Sequence, residues 1–264
     1  MSLKNVFLAS FFVGLMLFFV MNLLLPGGEI LASSFEQEDQ YVVVIDPGHG
    51  GFDGGAVAVD GTVEKDINLQ IAKALYDVID EYPVKIVMTR KSDISLDDGE
   101  GTIRQRKRQD LVKRKELIEE ADADLTISIH LNSYPADASV CGAQVFYPKC
   151  EQKRTEEQGG EQTSKLIAEN VQKSLEINVD DGKERSALAK DDVLLLQNPS
   201  TPIILVECGF LSNVNECEKL KTLEYQALVA NAIWEGINID LGFEKKQKIQ
   251  VIHSANKTQK MSYS

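Results

Sequence analysis

The sequence predicts a single α/β domain, a central and mostly parallel twisted sheet with helices on both faces. Two patterns and a length carry that expectation. Short runs that are apolar almost throughout alternate with longer segments whose apolar residues recur at helical spacing. Strands with no polar face suit a sheet covered on both sides, as crossover helices cover a parallel one. Once the first forty or so residues are set aside, about 220 remain, enough for one large domain with a substantial core.

Taken in order, "YVVVID" (residues 41–46) reads as the first strand, stopped by Pro47. Residues 64–81 carry Ile67, Ile71, Leu75 and Val78 or Ile79 on one face and read as an amphipathic helix. "VKIVMT" (84–89) is a second strand, followed after a Gly-Asp loop by a highly charged helix, "IRQRKRQDLVKRKELIEEA". "ADLTISIH" (123–130) and "GAQVFYP" (142–148) are the third and fourth strands. A long helix is expected over about 155–175, then two further apolar strand-like runs, "VLLLQ" and "PIILVE", and a last helix around 223–237. The Lys- and Gln-rich tail, 241–264, is expected to be loosely ordered, and no internal repeat is present.

The first 28 residues stand apart. Lys4 precedes an almost uninterrupted apolar run over 6–25, ended by Pro26, Gly27 and Gly28. A run of that length can span a bilayer and exceeds a usual signal-peptide core. "EILASS" offers Ala32 as a cleavage site, although Ile30 fits the small-residue pattern poorly. Membrane anchor and cleaved signal therefore both stand. Either one brings the segment to a membrane and the remainder out of the cytoplasm. Residues 29–40 read as a polar linker, and 41–240 as the folded domain.

Net charge is −13, which makes nucleic acid a poor partner, because phosphate contacts need clustered Lys and Arg. The four cysteines suit an exported protein. Cys141 and Cys150 flank a strand and could pair, whereas Cys208 falls at a core position and reads as a buried thiol. The absence of CxxC or Cys–His spacing argues against a thiolate zinc site.

In open α/β sheets, ligands bind beyond the carboxyl ends of the strands. His49, one of only three histidines, follows the first strand; His130 ends the third; Glu207 ends "PIILVE"; and Glu64 opens the first helix. Singly, each has an ordinary explanation: a loop histidine, a core histidine, a carboxylate favoured by a helix N-terminus. Glu207 is the hardest to dismiss, since a carboxylate directly after "IILV" is costly to bury without a partner. Together the four describe a hydrolytic metal site. Two imidazoles and one carboxylate (His49, His130, Glu64) suit a catalytic Zn²⁺ with an open position, and Glu207 suits a general base. The glycines around His49 are expected to let substrate backbone approach closely. A phosphate loop is disfavoured, because "DPGHGGFDGG" has neither GxGxxG spacing nor a GK[ST] ending, and HExxH is absent.

These residues resemble a family. "VIDPGHGGFDGGAV", "VEKDINLQIAKAL", "ADLTISIHLNS" and "PIILVECGFLSN" occur in the order of the motifs of the zinc-dependent N-acetylmuramoyl-L-alanine amidases of the Amidase_3 type. "MTRKSD" fits as well. The resemblance covers roughly 42–237 and implies His49, Glu64 and His130 as zinc ligands and Glu207 as the catalytic carboxylate. It further implies hydrolysis of the amide between N-acetylmuramic acid and L-alanine of peptidoglycan stem peptides. "TIRQRKRQDLVKRKELI" and "VECGFLSNVNE" are most similar to the germination-specific group, which implies spore-cortex peptidoglycan as substrate, a first step toward muramic-δ-lactam, and a place between the membranes of the developing spore. Thr126 departs from the aromatic or aliphatic residue of many relatives. No wall-binding repeat follows the domain, which suggests an activating or localising protein partner. Asn132, Arg90 and Arg114 are secondary candidates for substrate contact, set against a strand-end cap and structural ion pairs. The rival readings are another zinc-dependent wall peptidase or deacetylase, and a scaffold without catalysis.

Overall fold

The computed structural model describes residues 40–149, 164–179 and 184–246. Its strands are β1 (Val42–Pro47), β2 (Lys85–Met88), β3 (Leu125–Asn132), β4 (Gln144–Pro148), β5 (Leu188–Lys190) and β6 (Ile203–Phe210). They form one sheet in the order β2-β1-β3-β6-β4-β5. β1 pairs in parallel with both β2 and β3, β3 with β6, and β4 with β5; only the β4–β6 pair is antiparallel. The helices are α1 (Glu64–Ile79), α2 (Ile103–Glu120), α3 (Ser164–Val179), α4 (Val214–Leu220) and α5 (Leu223–Leu241). The predicted mostly parallel α/β sheet is the fold observed.

Strand side chains alternate between faces, and the two faces are covered unequally. Val43, Ile45, Ile127, Ile129, Ile204 and Val206 point into the larger core, where α1, α3 and α5 supply Ile71, Leu75, Val171, Leu175, Ile233 and Trp234. Val44, Ile203 and Leu205 point the other way, onto Ile118 of α2 and onto Leu195 and Leu196. The alternation puts Asp46 on the face of Val44, Ser128 and His130 on that of Thr126, and Glu207 on that of Leu205. The chemistry therefore lies at the carboxyl end of the thinner face.

α2 shows why that face tolerates polar groups. Its buried residues are Asp110, Arg114 and Ile118, a stripe at i, i+4, i+8 in a helix otherwise turned to solvent. Thr102 starts it with a capping box, accepting from the Gln105 amide while the Gln105 side chain accepts from the Thr102 amide.

Several elements depart from expectation. "VLLLQ" is a 3-10 turn over Leu194–Leu196 rather than a strand, and the edge position belongs to β5, just upstream. β3 continues past His130 to Asn132, with a shift of register against β6 between these two residues. α4, not anticipated, begins at the Asn213 cap, whose side chain accepts from the Glu216 amide. Cys208 is buried, and its thiol lies 3.7 Å from the Val206 carbonyl. The apolar N-terminal run, Cys150 with its suggested pairing, residues 155–163 of the long helix and most of the tail lie outside the described residues. Among the described residues, no helix is long and apolar enough to cross a membrane.

Candidate metal centre

β1 ends at Pro47, and the backbone then turns back on itself. His49 takes φ 61°, Gly50 φ 136° and Gly51 φ 55°. The left-handed region is costly for a residue with a Cβ and persists where the surroundings enforce it. Here two guanidinium groups do so. Arg90 donates to the Pro47 carbonyl (Nε, 2.9 Å) and, through Nη2, to the carbonyls of Gly48 and Lys65 (2.9 Å each). Arg114 donates to the Pro47 and His49 carbonyls at 2.8 and 2.6 Å, and to the Asp46 and Asp110 carboxylates at 2.7 and 2.6 Å. Both side chains are buried, 2% and 1% exposed. Of the two readings the sequence left for them, substrate contact and structural pairing, the geometry matches the second: their donors are turned inward and shape the loop that carries His49.

Asp46 completes this foundation, accepting from the hydroxyls of Thr89 (2.6 Å) and Ser128 (2.8 Å) as well as from Arg114. Burial alone would raise its pKa, but the Arg114 charge and these hydrogen bonds outweigh burial and hold the carboxyl below its ordinary range.

Glu64 is the centre of the site. It opens α1, is 4% exposed, and its Oε1 lies 3.2 Å from His49 Nε2 and 3.0 Å from His130 Nδ1. The same oxygen accepts from the Leu131 amide and from Asn68 Nδ2, one helical turn along; Oε2 accepts from the Ala56 amide at 2.8 Å. His49 Nδ1 lies 3.0 Å from Asp53 Oδ2, so a carboxylate holds the outer nitrogen and leaves Nε2 facing Glu64. One donor atom from each of His49, Glu64 and His130 falls within 4.8 Å of the others, a set that could hold a metal ion. The glycines serve this packing. A Cβ on Gly48 would overlap the His130 ring, and one on Gly55 would overlap Glu64 and His49. The expectation that they clear space for substrate is thereby corrected at these two positions.

Electrostatics agree with a cation site. Burial disfavours a charged His49, yet hydrogen bonds to Asp53 and Glu64 and their charges raise its pKa to about 9. Burial likewise opposes the Glu64 carboxylate, and the two imidazoles hold it far below the ordinary range. The acidic groups thus favour positive charge between them, and two imidazoles with one carboxylate are a donor set that would suit a divalent ion.

Glu207 lies beside these groups, because β3 and β6 pair His130 directly with it. Burial raises the Glu207 pKa, and its Oε2 is buried with no hydrogen-bond partner among the described residues. A buried carboxylate oxygen left bare in that way calls for a partner that the described residues do not supply. Glu207 lines a cleft of about 350 Å³ together with His49, His130, Asp53, Lys107 and Lys190. Asn132 is not among the lining residues; its Oδ1 accepts from the Ser133 amide at 2.8 Å, which is the strand-end cap. Sequence reasoning missed Asp53 and Asn68. The signal for both was spacing: each lies four residues beyond a ligand candidate.

A family model described as N-acetylmuramoyl-L-alanine amidase (Amidase_3) matches residues 43–239. The chain belongs to this family. The amidase is 37% identical over 197 residues to the germination-specific N-acetylmuramoyl-L-alanine amidase of Bacillus subtilis strain 168, a match covering 74% of this chain and 78% of that protein. The structure of the CwlD amidase from Clostridioides difficile, in complex with the GerS lipoprotein, matches with a TM-score of 0.70 at 38% identity, covering 77% of this chain and 99% of that one. An N-acetylmuramoyl-L-alanine amidase from Clostridium difficile 630 matches at 30% identity and a TM-score of 0.64, covering 77% and 97%. The enzyme is thus an N-acetylmuramoyl-L-alanine amidase of peptidoglycan, and the peptidase, deacetylase and scaffold alternatives fall away.

Proposed function

We propose that the amidase is a zinc enzyme in which His49, Glu64 and His130 hold the ion and Glu207 moves the proton. The observation that carries this reading is the approach of His49 Nε2 and His130 Nδ1 to one Glu64 oxygen, with Glu207 paired beside His130. When bound, zinc supplies Lewis acidity to the scissile carbonyl and the attacking water. The protein supplies the rest. Asp53 orients His49, and Arg90 and Arg114 hold the loop beneath it. Glu207 accepts a proton from water as it attacks the lactyl carbonyl and delivers it to the departing L-alanine nitrogen. A carboxyl whose pKa is raised by burial suits both halves of that transfer.

Similarity to a germination-specific amidase supports spore-cortex peptidoglycan as the substrate and muramic-δ-lactam formation as the use. The domain then works outside the cytoplasm, delivered by the apolar segment over 6–25 as anchor or signal. The neighbour solved with a lipoprotein supports a protein partner that activates or localises this chain.

Glu207→Gln is expected to retain zinc while kcat falls by about 10²–10⁴-fold. Metal analysis and mass spectrometry of digested peptidoglycan check this, wild type releasing peptides that begin with L-alanine. Undiminished turnover in the variant would sink the assigned role.

A further inference from the structure

Three of the cations lining the cleft, Lys107, Arg114 and Lys190, differ in how fully their charge is used. Arg114 is buried against carboxylates and carbonyls. Lys107 Nζ lies 2.8 Å from Asp53 Oδ1, tied to the carboxylate that orients His49. Lys190 ends β5, where its Nζ sits 4.5 Å above the Phe146 ring and 3.6 Å from Asp192 Oδ1. The Asp192 side chain is 73% exposed, so water screens that longer pair strongly. The aromatic face fixes the ammonium in place without neutralising it. Lys190 lines the same cleft as Glu207, His49 and His130.

The substrate shows where an anion would meet it. The lactyl carboxyl is consumed in the scissile amide, so the stem carboxylates all lie on the peptide side. A protein of net charge −13 repels such groups at long range, and a cation on the cleft wall offsets this locally.

We propose that Lys190 is a specificity-determining residue that binds a carboxylate of the stem peptide, held between Phe146 and the cleft. Lys190 stands two strands from Glu207 on the wall of the same cleft, so the group it would meet is a short way along the stem from the cut bond: the carboxylate of the amino acid after L-alanine, which occurs free in D-glutamate and blocked in D-isoglutamine. This inference rests on the proposed catalytic role of Glu207, and it adds a substrate preference that the role alone does not require.

The test measures kcat/KM on two sets of glycan strands, with D-glutamate or D-isoglutamine as second stem residue. Wild type is expected to favour the carboxylate form. Lys190→Gln should lower kcat/KM on that form by about tenfold, a charged hydrogen bond's contribution, and so close the gap between the two substrates. Lys190→Arg should keep the preference. Lys149, exposed and paired with Asp191 at 3.2 Å outside the cleft, is the control, and Lys149→Gln should match wild type. Equal losses on both substrates in Lys190→Gln, or no preference in wild type, would overturn the assignment. If wild type cuts neither substrate, the catalytic reading fails and this one with it.

Discussion

Asp46 and Arg114 illustrate how side chains outside the proposed ligand set hold a site in place. Each is about 1% exposed, and the pair lies 2.7 Å apart beneath the loop that carries His49. Breaking a buried pair by removing one partner typically costs about 3–5 kcal/mol, because the other charge is left without compensation. The pH consequence follows from the direction of the shift. The Asp46 carboxyl is held below its ordinary value near 3.8, so the folded state releases its proton more readily than the unfolded chain does. Its contribution is therefore fully present above that value and is lost as pH falls through the lower, folded-state value. Asp46→Asn should be less stable than wild type at neutral pH, and the difference should shrink in acid. Denaturant titrations at several pH values check this, and a gap that stays constant into strong acid would remove Asp46 from the account. These roles were not legible in the sequence. Arg90 and Arg114 reach carbonyls 43 and 67 residues away, and nothing local distinguishes them from solvated charges. Glu207 was legible, since its position after an apolar strand demanded a partner or a task.

At the scale of elements, the loop after β1 and helix α2 form one working unit. α2 turns the Asp110–Arg114 ion pair, with Ile118 one turn on, toward the sheet, which is why it reads in the sequence only as a highly charged helix. The same loop explains the glycines. Gly48 has no room for a side chain because the His130 ring occupies that space. Gly48→Ala should push His130 away from Glu64 and weaken zinc binding by about 10–100-fold, the usual cost of disturbing a ligand's support. Competition with a chromophoric chelator measures it, and an unchanged affinity would show that the ring has another place to go. Strands and long helices were largely readable from periodicity. The run "VLLLQ" was not, because a short apolar stretch has no period that separates a strand from a 3-10 turn. β5, only three residues long and largely exposed, left too little pattern to detect.

For the whole molecule, parallel pairing of β1, β3 and β6 brings their carboxyl ends to one edge, where His49, His130 and Glu207 meet Glu64 from α1. That convergence could be anticipated because each residue closes or follows a run readable in the sequence and the open α/β sheet places such ends together, although β3 and β6 continue past His130 and Glu207 to Asn132 and Phe210. The supporting shell could not, since it depends on contacts between distant segments. Extensive burial on the α1, α3 and α5 face provides the rigidity that lets the thinner face carry charges. The central claim is that three side chains hold a zinc ion on which amide hydrolysis depends. The most direct measurement follows zinc content and peptidoglycan digestion in the same sample through chelation and restoration of the metal. The account predicts zinc equimolar with the chain, loss of both metal and activity on chelation, and return of both when zinc is added back. Full digestion by the metal-free protein would contradict it.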